Sequence, residues 1–149
     1  MGKKDRKITQ GFVIESNGEK TPKALEDPNA YFNKTPSWNF NRCDAEHDNW
    51  SLSCCEDIYN NVITKLISFE RRTWSDIIND KKHNHWIEAS DLSADAQRRL
   101  SEKYPEYDRV FSLRLTGKLR LIGTIQGGIF FIFWYDPEHQ VCTSHKKHT

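Results

Sequence analysis

One stretch, Phe111 to Val141, restricts the possible folds more than any other: FSLRLTGKLRLIGTIQGGIFFIFWYDPEHQV. Leu113, Leu115, Leu119, Leu121, Ile129, Phe131 and Phe133 fall at period two, the repeat of side chains along a strand. Two turn signals, Gly117-Lys118 and Gly127-Gly128, divide the run into three. The pattern predicts three consecutive antiparallel strands, a β-meander. Its last strand, Ile129 to Tyr135, is apolar at every position. It is therefore expected to be central and covered on both sides, by helices on one and other chain segments on the other.

Upstream of the meander the periodicity changes. Ile58, Val62, Ile63, Leu66, Ile67 and Phe69 recur at helical spacing, and Ser53 with Glu56 forms a capping-box pattern, which predicts a helix over Ser53 to Phe69. Thr73 and Asp76 open a shorter helix through Ile77-Ile78, before the polar loop NDKKHNH. Ser93 begins a third helix, from Ala94 to about Lys103, with Asp95 in its first turn and Leu92, Ala96 and Leu100 turned to the core; Pro105 closes it. Helices followed by a meander, without βαβ alternation, define the α+β class. The expected arrangement is a two-layer domain, N-terminal helices packed on the C-terminal antiparallel meander.

Residues 1–36 are polar, with Gly2, Gly11, Gly18, Pro22, Pro28 and Pro36 and one apolar patch at Phe12-Val13-Ile14. Too little apolar surface is present there to sustain a fold, so a flexible arm is expected. A single domain over 37–149 follows, opening with a short strand near Trp38 to Phe40. With 149 residues, one domain and an arm account for the chain. No run of 18 apolar residues occurs and the first residues lack a hydrophobic signal core, so a cytoplasmic protein with no membrane partner is expected. Cys43, Cys54, Cys55 and Cys142 are irregularly spaced, which argues for reduced thiols.

The net charge of +1 conceals an asymmetry. From Arg109 onward, Arg109, Arg114, Lys118, Arg120, Lys146 and Lys147 face only Asp136 and Glu138, a balance of +4. Such a segment is compatible with a phosphate or nucleic-acid partner, although basic residues on strands also block edge-to-edge aggregation. A phosphodiester cleaved without metal needs fixed cations on its non-bridging oxygens, and guanidinium groups offer planar, bidentate contact. Arg114 and Arg120 are candidates for that work, or they are solvent-facing strand residues. Their relation depends on the turn: a strict two-residue turn would pair Leu115 with Arg120 and turn Arg114 away, whereas a bulged one could unite them. Tyr135, Asp136, Glu138 and His139 follow the last strand, where a histidine beside carboxylates and a tyrosine could exchange protons near neutral pH; a plain polar turn ended by Pro137 is the alternative.

His83-Asn84-His85 spells the name of a metal nuclease motif without its spacing, and no paired spacing of a structural zinc site is present. Whether His83 or His85 sits beside the basic cluster is left open by sequence. Trp74 and Trp86 could stack bases, but packing between helix and sheet is the commoner use.

The strings Phe111-Ser112, Arg114-Leu115-Thr116, Arg120-Leu121-Ile122, the apolar strand Ile129 to Phe133, and His139 resemble the C-terminal half of the RelE/YoeB superfamily of bacterial toxin ribonucleases. There, an aromatic-Ser-x-Arg-Leu-Thr run is followed by a turn, Arg-Leu-hydrophobic, a hairpin and a terminal histidine cluster. The match spans roughly 30 residues. The resemblance implies a RelE-like fold and an mRNA endonuclease of a toxin–antitoxin pair. Such an enzyme uses no metal or other cofactor, often acts on the ribosome, and is neutralised by a small antitoxin protein. By position, Arg120 would stabilise the phosphate, His139 would be the general acid, and Arg114 would contact substrate. Apart from the resemblance, Lys118 and Arg109 are further candidates for substrate contact, and Glu138 and Tyr135 for the catalytic cluster. The family's glutamate base precedes the meander, where Glu102 and Glu106 are nearest. The chain departs from the pattern in its arm, in the Trp38 to Trp50 segment and in Asp136-Pro137-Glu138 before His139. The competing expectation is a non-enzymatic interaction protein that binds a protein or nucleic acid through its basic sheet.

Overall fold

A computed structural model describes residues 30–142. The expected arm through residue 29, and the basic tail with Lys146 and Lys147, lie outside the described residues. The meander forms as the spacing predicts: β3 (Arg109–Thr116), β4 (Leu119–Gln126) and β5 (Ile129–Asp136) are consecutive and antiparallel. Two short strands extend it. β1 (Ser37–Asn39) runs parallel to β5, and β2 (His85–Glu88) pairs antiparallel with β3, giving the order β1-β5-β4-β3-β2. β5 therefore has a neighbour on each side, as its continuous apolar run requires.

The α+β class is the observed one, but helices lie on both faces of the sheet, so a third layer joins the two expected. On one face, α1 (Thr64–Phe69) and α2 (Trp74–Asn79) pack Val62, Leu66, Phe69, Trp74 and Ile77 against Phe111, Leu113, Leu121, Phe130 and Ile132. On the other, α3 (Ala94–Lys103) sets Leu92, Ala96 and Leu100 against Val110, Ile122, Phe133 and Trp134. Burying both faces stabilises the meander by roughly 1.5–3 kcal/mol for each large apolar side chain.

The helix ends follow local chemistry with one exception. Thr73 accepts the Asp76 N–H at the start of α2, and Ser93 accepts that of Ala96 at the start of α3. The first helix begins later than the Ser53–Glu56 pattern predicts. Leu52–Cys54 is a separate 3-10 turn capped by Ser51, Asp57 accepts the Asn60 N–H, and a π-helical turn, Tyr59–Ile63, leads into α1. Asp57 is closer to the apolar run than Ser53 and wins the cap.

Strand β5 carries a bulge: Ile122 lies opposite Trp134 and Gly123 opposite Ile132, leaving Phe133 without a cross-strand partner. Phe133 and Trp134 thereby both face α3. Tyr104 stacks on Phe133 with ring centroids 3.9 Å apart. At Gly123 a Cβ would stand 2.0 Å from the Phe131 carbonyl oxygen, so only glycine fits the bulge.

Asp44 is fixed behind this layer by the Arg99 guanidinium, at 2.6 and 2.7 Å, and by the Trp134 indole N–H at 3.0 Å. Burial alone would raise its pKa. The hydrogen bonds from Arg99, Trp134 and the Glu46 N–H, with the charge of Arg99, outweigh that effect and hold the carboxyl well below the usual carboxylate range.

The expected domain boundary at residue 36 moves toward the N-terminus. Tyr31 is buried edge-on against Trp74, the Lys34 carbonyl accepts the Trp74 N–H at 2.9 Å, and the compact unit starts at Tyr31. One aromatic ring in a polar segment is enough to attach it. Trp74 is buried and donates its indole N–H to the Gly128 carbonyl at 2.8 Å. Trp86 packs against Phe111, so both tryptophans serve packing. No disulfide links the four cysteines. Among the described residues no helix is long and apolar enough to cross a membrane.

Candidate functional site

The β3–β4 hairpin turns through Gly117, at φ +48°, and Lys118, with Thr116 opposite Leu119. A regular ladder would then set Leu115 against Arg120. Instead the register shifts between Arg114 and Thr116, Leu115 becomes the extra residue, and Arg114 lies directly opposite Arg120. Asp136 lies opposite Arg120 on its other side. Arg114, Arg120 and Asp136 thus form a row across three strands, on the face that carries α3.

Both guanidinium groups donate to the same acceptor, the Gly117 carbonyl: Arg120 Nη1 at 2.7 Å and Arg114 Nε at 3.1 Å. Among the described residues neither arginine has a carboxylate within 4.0 Å. Asp136 is fully buried, and its two oxygens accept the backbone N–H groups of Gln140 at 2.8 Å and Val141 at 2.9 Å. Burial lowers the Arg120 pKa and the neighbouring Arg114 charge lowers it further, against a smaller opposing pull from Asp136. Burial likewise raises the Asp136 carboxyl, which the two N–H groups and the His139 and Arg120 charges only partly offset. Like charges directly opposite on a sheet are destabilising, by a few tenths to about 1 kcal/mol. An anion between them removes that cost.

Lys118 Nζ meets Glu138 Oε1 at 2.9 Å and ties the hairpin turn to the turn after β5. His139 occupies that second turn at φ +57°, a left-handed conformation uncommon outside glycine, and stands close enough to Asp136 for its charge to be felt there. Arg114, Arg120, Lys118, Glu138 and His139 are therefore gathered at one end of the sheet.

Two predicted members are elsewhere. Tyr135 precedes Asp136 and so points to the opposite face, into the core beneath α1, where burial and a hydrogen bond with Cys55 raise its phenol. Arg109 begins β3, five residues from Arg114 or roughly 17 Å along the strand, with its guanidinium 3.9 Å above the Trp86 ring. The two glutamates considered as a base are also engaged away from the row. Glu106 pairs with Arg42 at 2.5 Å ahead of β3, and Glu102 lies 3.9 Å from Arg99 on α3.

Beside the hairpin opens a cleft of about 320 Å³, lined by Arg72, Asp80, His83, Arg114, Thr116 and Gly117 among others. His83 Nδ1 is 3.1 Å from each Asp80 oxygen. Asn84, almost fully buried, locks the loop in place: its amide donates to the Ile77 carbonyl at 3.2 Å and its side-chain oxygen accepts the Arg114 N–H at 3.0 Å. His83 thus borders the arginine hairpin, whereas His85 enters β2 opposite Ser112. The three-residue spacing of Asp80 and His83 past a helix end was a readable local signal. Their placement against β3 was not, because it depends on Asn84 bonding 30 residues away. Among the described residues no three His, Cys, Asp or Glu side chains gather as metal ligands would. Comparison of the chain with protein-family models, with curated proteins and with solved structures finds no match.

Proposed function

We propose that this chain is a metal-independent endoribonuclease of the RelE/YoeB toxin type. It cleaves mRNA by attack of a 2′-OH on the adjacent phosphate. The observation that carries the reading is the pair Arg114 and Arg120, opposed across a bulged hairpin and sharing one carbonyl acceptor, with no carboxylate partner among the described residues. A scissile phosphate supplies the missing negative charge, and fixed guanidinium groups stabilise the further charge that develops as phosphorus becomes five-coordinate. His139, beside Asp136, donates the proton to the leaving 5′-oxygen. Lys118 on the turn attracts the backbone. The partners in this reading are RNA, on or off the ribosome, and a small antitoxin in the cytoplasm.

A second reading has its own observation. Ile58, Tyr59 and Ile67 are 41%, 60% and 41% exposed on the helical layer, large apolar side chains that an interaction protein would use. Cleavage of mRNA in EDTA, with and without ribosomes, separates the two. Arg120→Ala is expected to fold and to lose about 10²-fold or more in rate. His139→Gln is expected to lose about 10²–10⁴-fold. No cleavage by the wild type under any condition, with partner binding intact in both variants, decides for the interaction protein. Activity abolished by EDTA removes the metal-independent mechanism.

A further inference from the structure

With Glu102 and Glu106 engaged elsewhere, the 2′-OH lacks a proton acceptor in the mechanism above. We infer that His83, positioned by Asp80, is that general base, and that the cleft beside the β3–β4 hairpin is the nucleotide subsite on the 5′ side of the scissile bond. The assignment rests on the ribonuclease reading and adds a residue to it.

Three observations carry it. His83 and Asp80 form a base-and-orienter pair: both Asp80 oxygens stand 3.1 Å from Nδ1, which fixes the ring and leaves Nε2 on its far edge. The His83 side chain is 39% exposed and that of Asp80 35%, so the pair is open to substrate without being free in solvent. Finally, the cleft that holds them, about 320 Å³, is lined by Arg114 and Gly117, and the Gly117 carbonyl accepts from both Arg114 and Arg120. Its size suits a nucleoside. Arg72 adds a second cation to the lining. A histidine that merely closed the turn after α2 would need neither an open cleft nor Arg72 and Arg114 in its lining.

The step balances as follows. With its proton on Nδ1 and directed to Asp80, His83 takes the 2′-OH proton on Nε2 as the 2′-oxygen bonds to phosphorus. The bond from phosphorus to the 5′-oxygen breaks, and that oxygen takes the proton of the His139 imidazolium. A 2′,3′-cyclic phosphate and a 5′-hydroxyl result. DNA, lacking the 2′-OH, is inert.

The test uses the full chain and an mRNA fragment that the wild type cuts, prepared a second time with sulfur in place of the 5′-bridging oxygen at the cut. Sulfur leaves without a proton, so a general acid becomes dispensable and a general base does not. His83→Gln is expected to slow cleavage of both substrates by about 10²-fold or more, whereas His139→Gln is slow on oxygen and restored on sulfur. Asp80→Asn is expected to slow both, by less than His83→Gln. His83→Gln at the wild-type rate, or restored by sulfur, overturns the assignment while cleavage that depends on Arg120 leaves the ribonuclease reading standing. No cleavage by the wild type overturns both. Should His83→Gln fail to fold, the wild-type His83 imidazole resonance decides: it moves when inorganic phosphate or a 2′-deoxy analogue of the fragment fills the cleft, and an unmoved resonance overturns the assignment.

Discussion

Arg99 and Asp44 show how a single buried charge can control the acid stability of the whole fold. The folded Asp44 carboxyl titrates well below its unfolded value, because Arg99, Trp134 and a backbone N–H all bind the ionised form. The sign follows from linkage: a depressed carboxyl stabilises the fold above the unfolded pKa of about 3.9, and that contribution disappears as pH falls toward the folded pKa. Asp44→Asn is therefore expected to lower the melting temperature at pH 7, and to flatten the loss of stability that the wild type suffers between about pH 4 and pH 2. Melting curves across that range check it. An equally steep acid transition in the variant assigns the effect to other groups. At the hairpin the chemistry differs. Lys118 is 70% exposed, so its pair with Glu138 adds little stability, about 0–1 kcal/mol at most. In the proposed ribonuclease reading, Lys118→Ala is expected to weaken RNA binding and reduce its salt dependence by about one phosphate contact, with cleavage of bound RNA little changed. A filter-binding series over salt concentration measures this slope.

Two bulges do most to shape the site at the scale of elements. The one at Phe133 sends two consecutive aromatic side chains toward α3 and obliges Gly123 to be glycine. The one at Leu115 returns Arg114 to the face of Arg120. Leu115 is the extra residue, so its deletion should regularise the hairpin, keeping Thr116 opposite Leu119 and Arg114 opposite Arg120. The expected result is phosphate affinity within a few-fold of wild type, with stability lowered by roughly 1–3 kcal/mol for the lost packing of Leu115. Calorimetric titration with phosphate and urea unfolding check the two halves. Affinity lost while the fold remains assigns a direct role to the bulge itself. The sequence left this register open, since Gly117-Lys118 is consistent with a strict or a bulged turn.

For the whole molecule, the relevant boundary is the one at Tyr31. Residues 1–29 carry too few apolar side chains to offset an ordering cost of about 1–2 kcal/mol per residue. Their removal is expected to leave thermal melting of the domain nearly unchanged. Removal through residue 36 also takes away the buried Tyr31 ring and the Lys34 carbonyl that receives the Trp74 N–H. That is expected to cost about 2–3 kcal/mol, or roughly 10 °C. Equal melting of the two truncations places the boundary after residue 36.

The meander, the caps of α2 and α3 and the burial of β5 on both faces were legible in the chain, although β4 and not β5 is the middle strand, because each depends on residues close in sequence: alternating or continuous apolar side chains, Gly-containing turns, and Thr73 or Ser93 three residues ahead of the N–H it accepts. Strand β2 is not predicted by the sequence, where His85 ends the polar loop NDKKHNH and Trp86 to Glu88 carry no element signal, since a four-residue edge strand has no alternation long enough to detect and exists through pairing with β3. The site divides the same way. That arginines on strands and a histidine after β5 would share one region followed from their order along a meander. Which side of the sheet each occupies did not, because one extra residue reverses every side chain beyond it. Tyr135 and Arg109 were separated from the cluster for that reason and by strand length. His83 was brought to it by hydrogen bonds spanning 30 residues. Local spacing determined which elements form, and long-range packing decided which side chains meet.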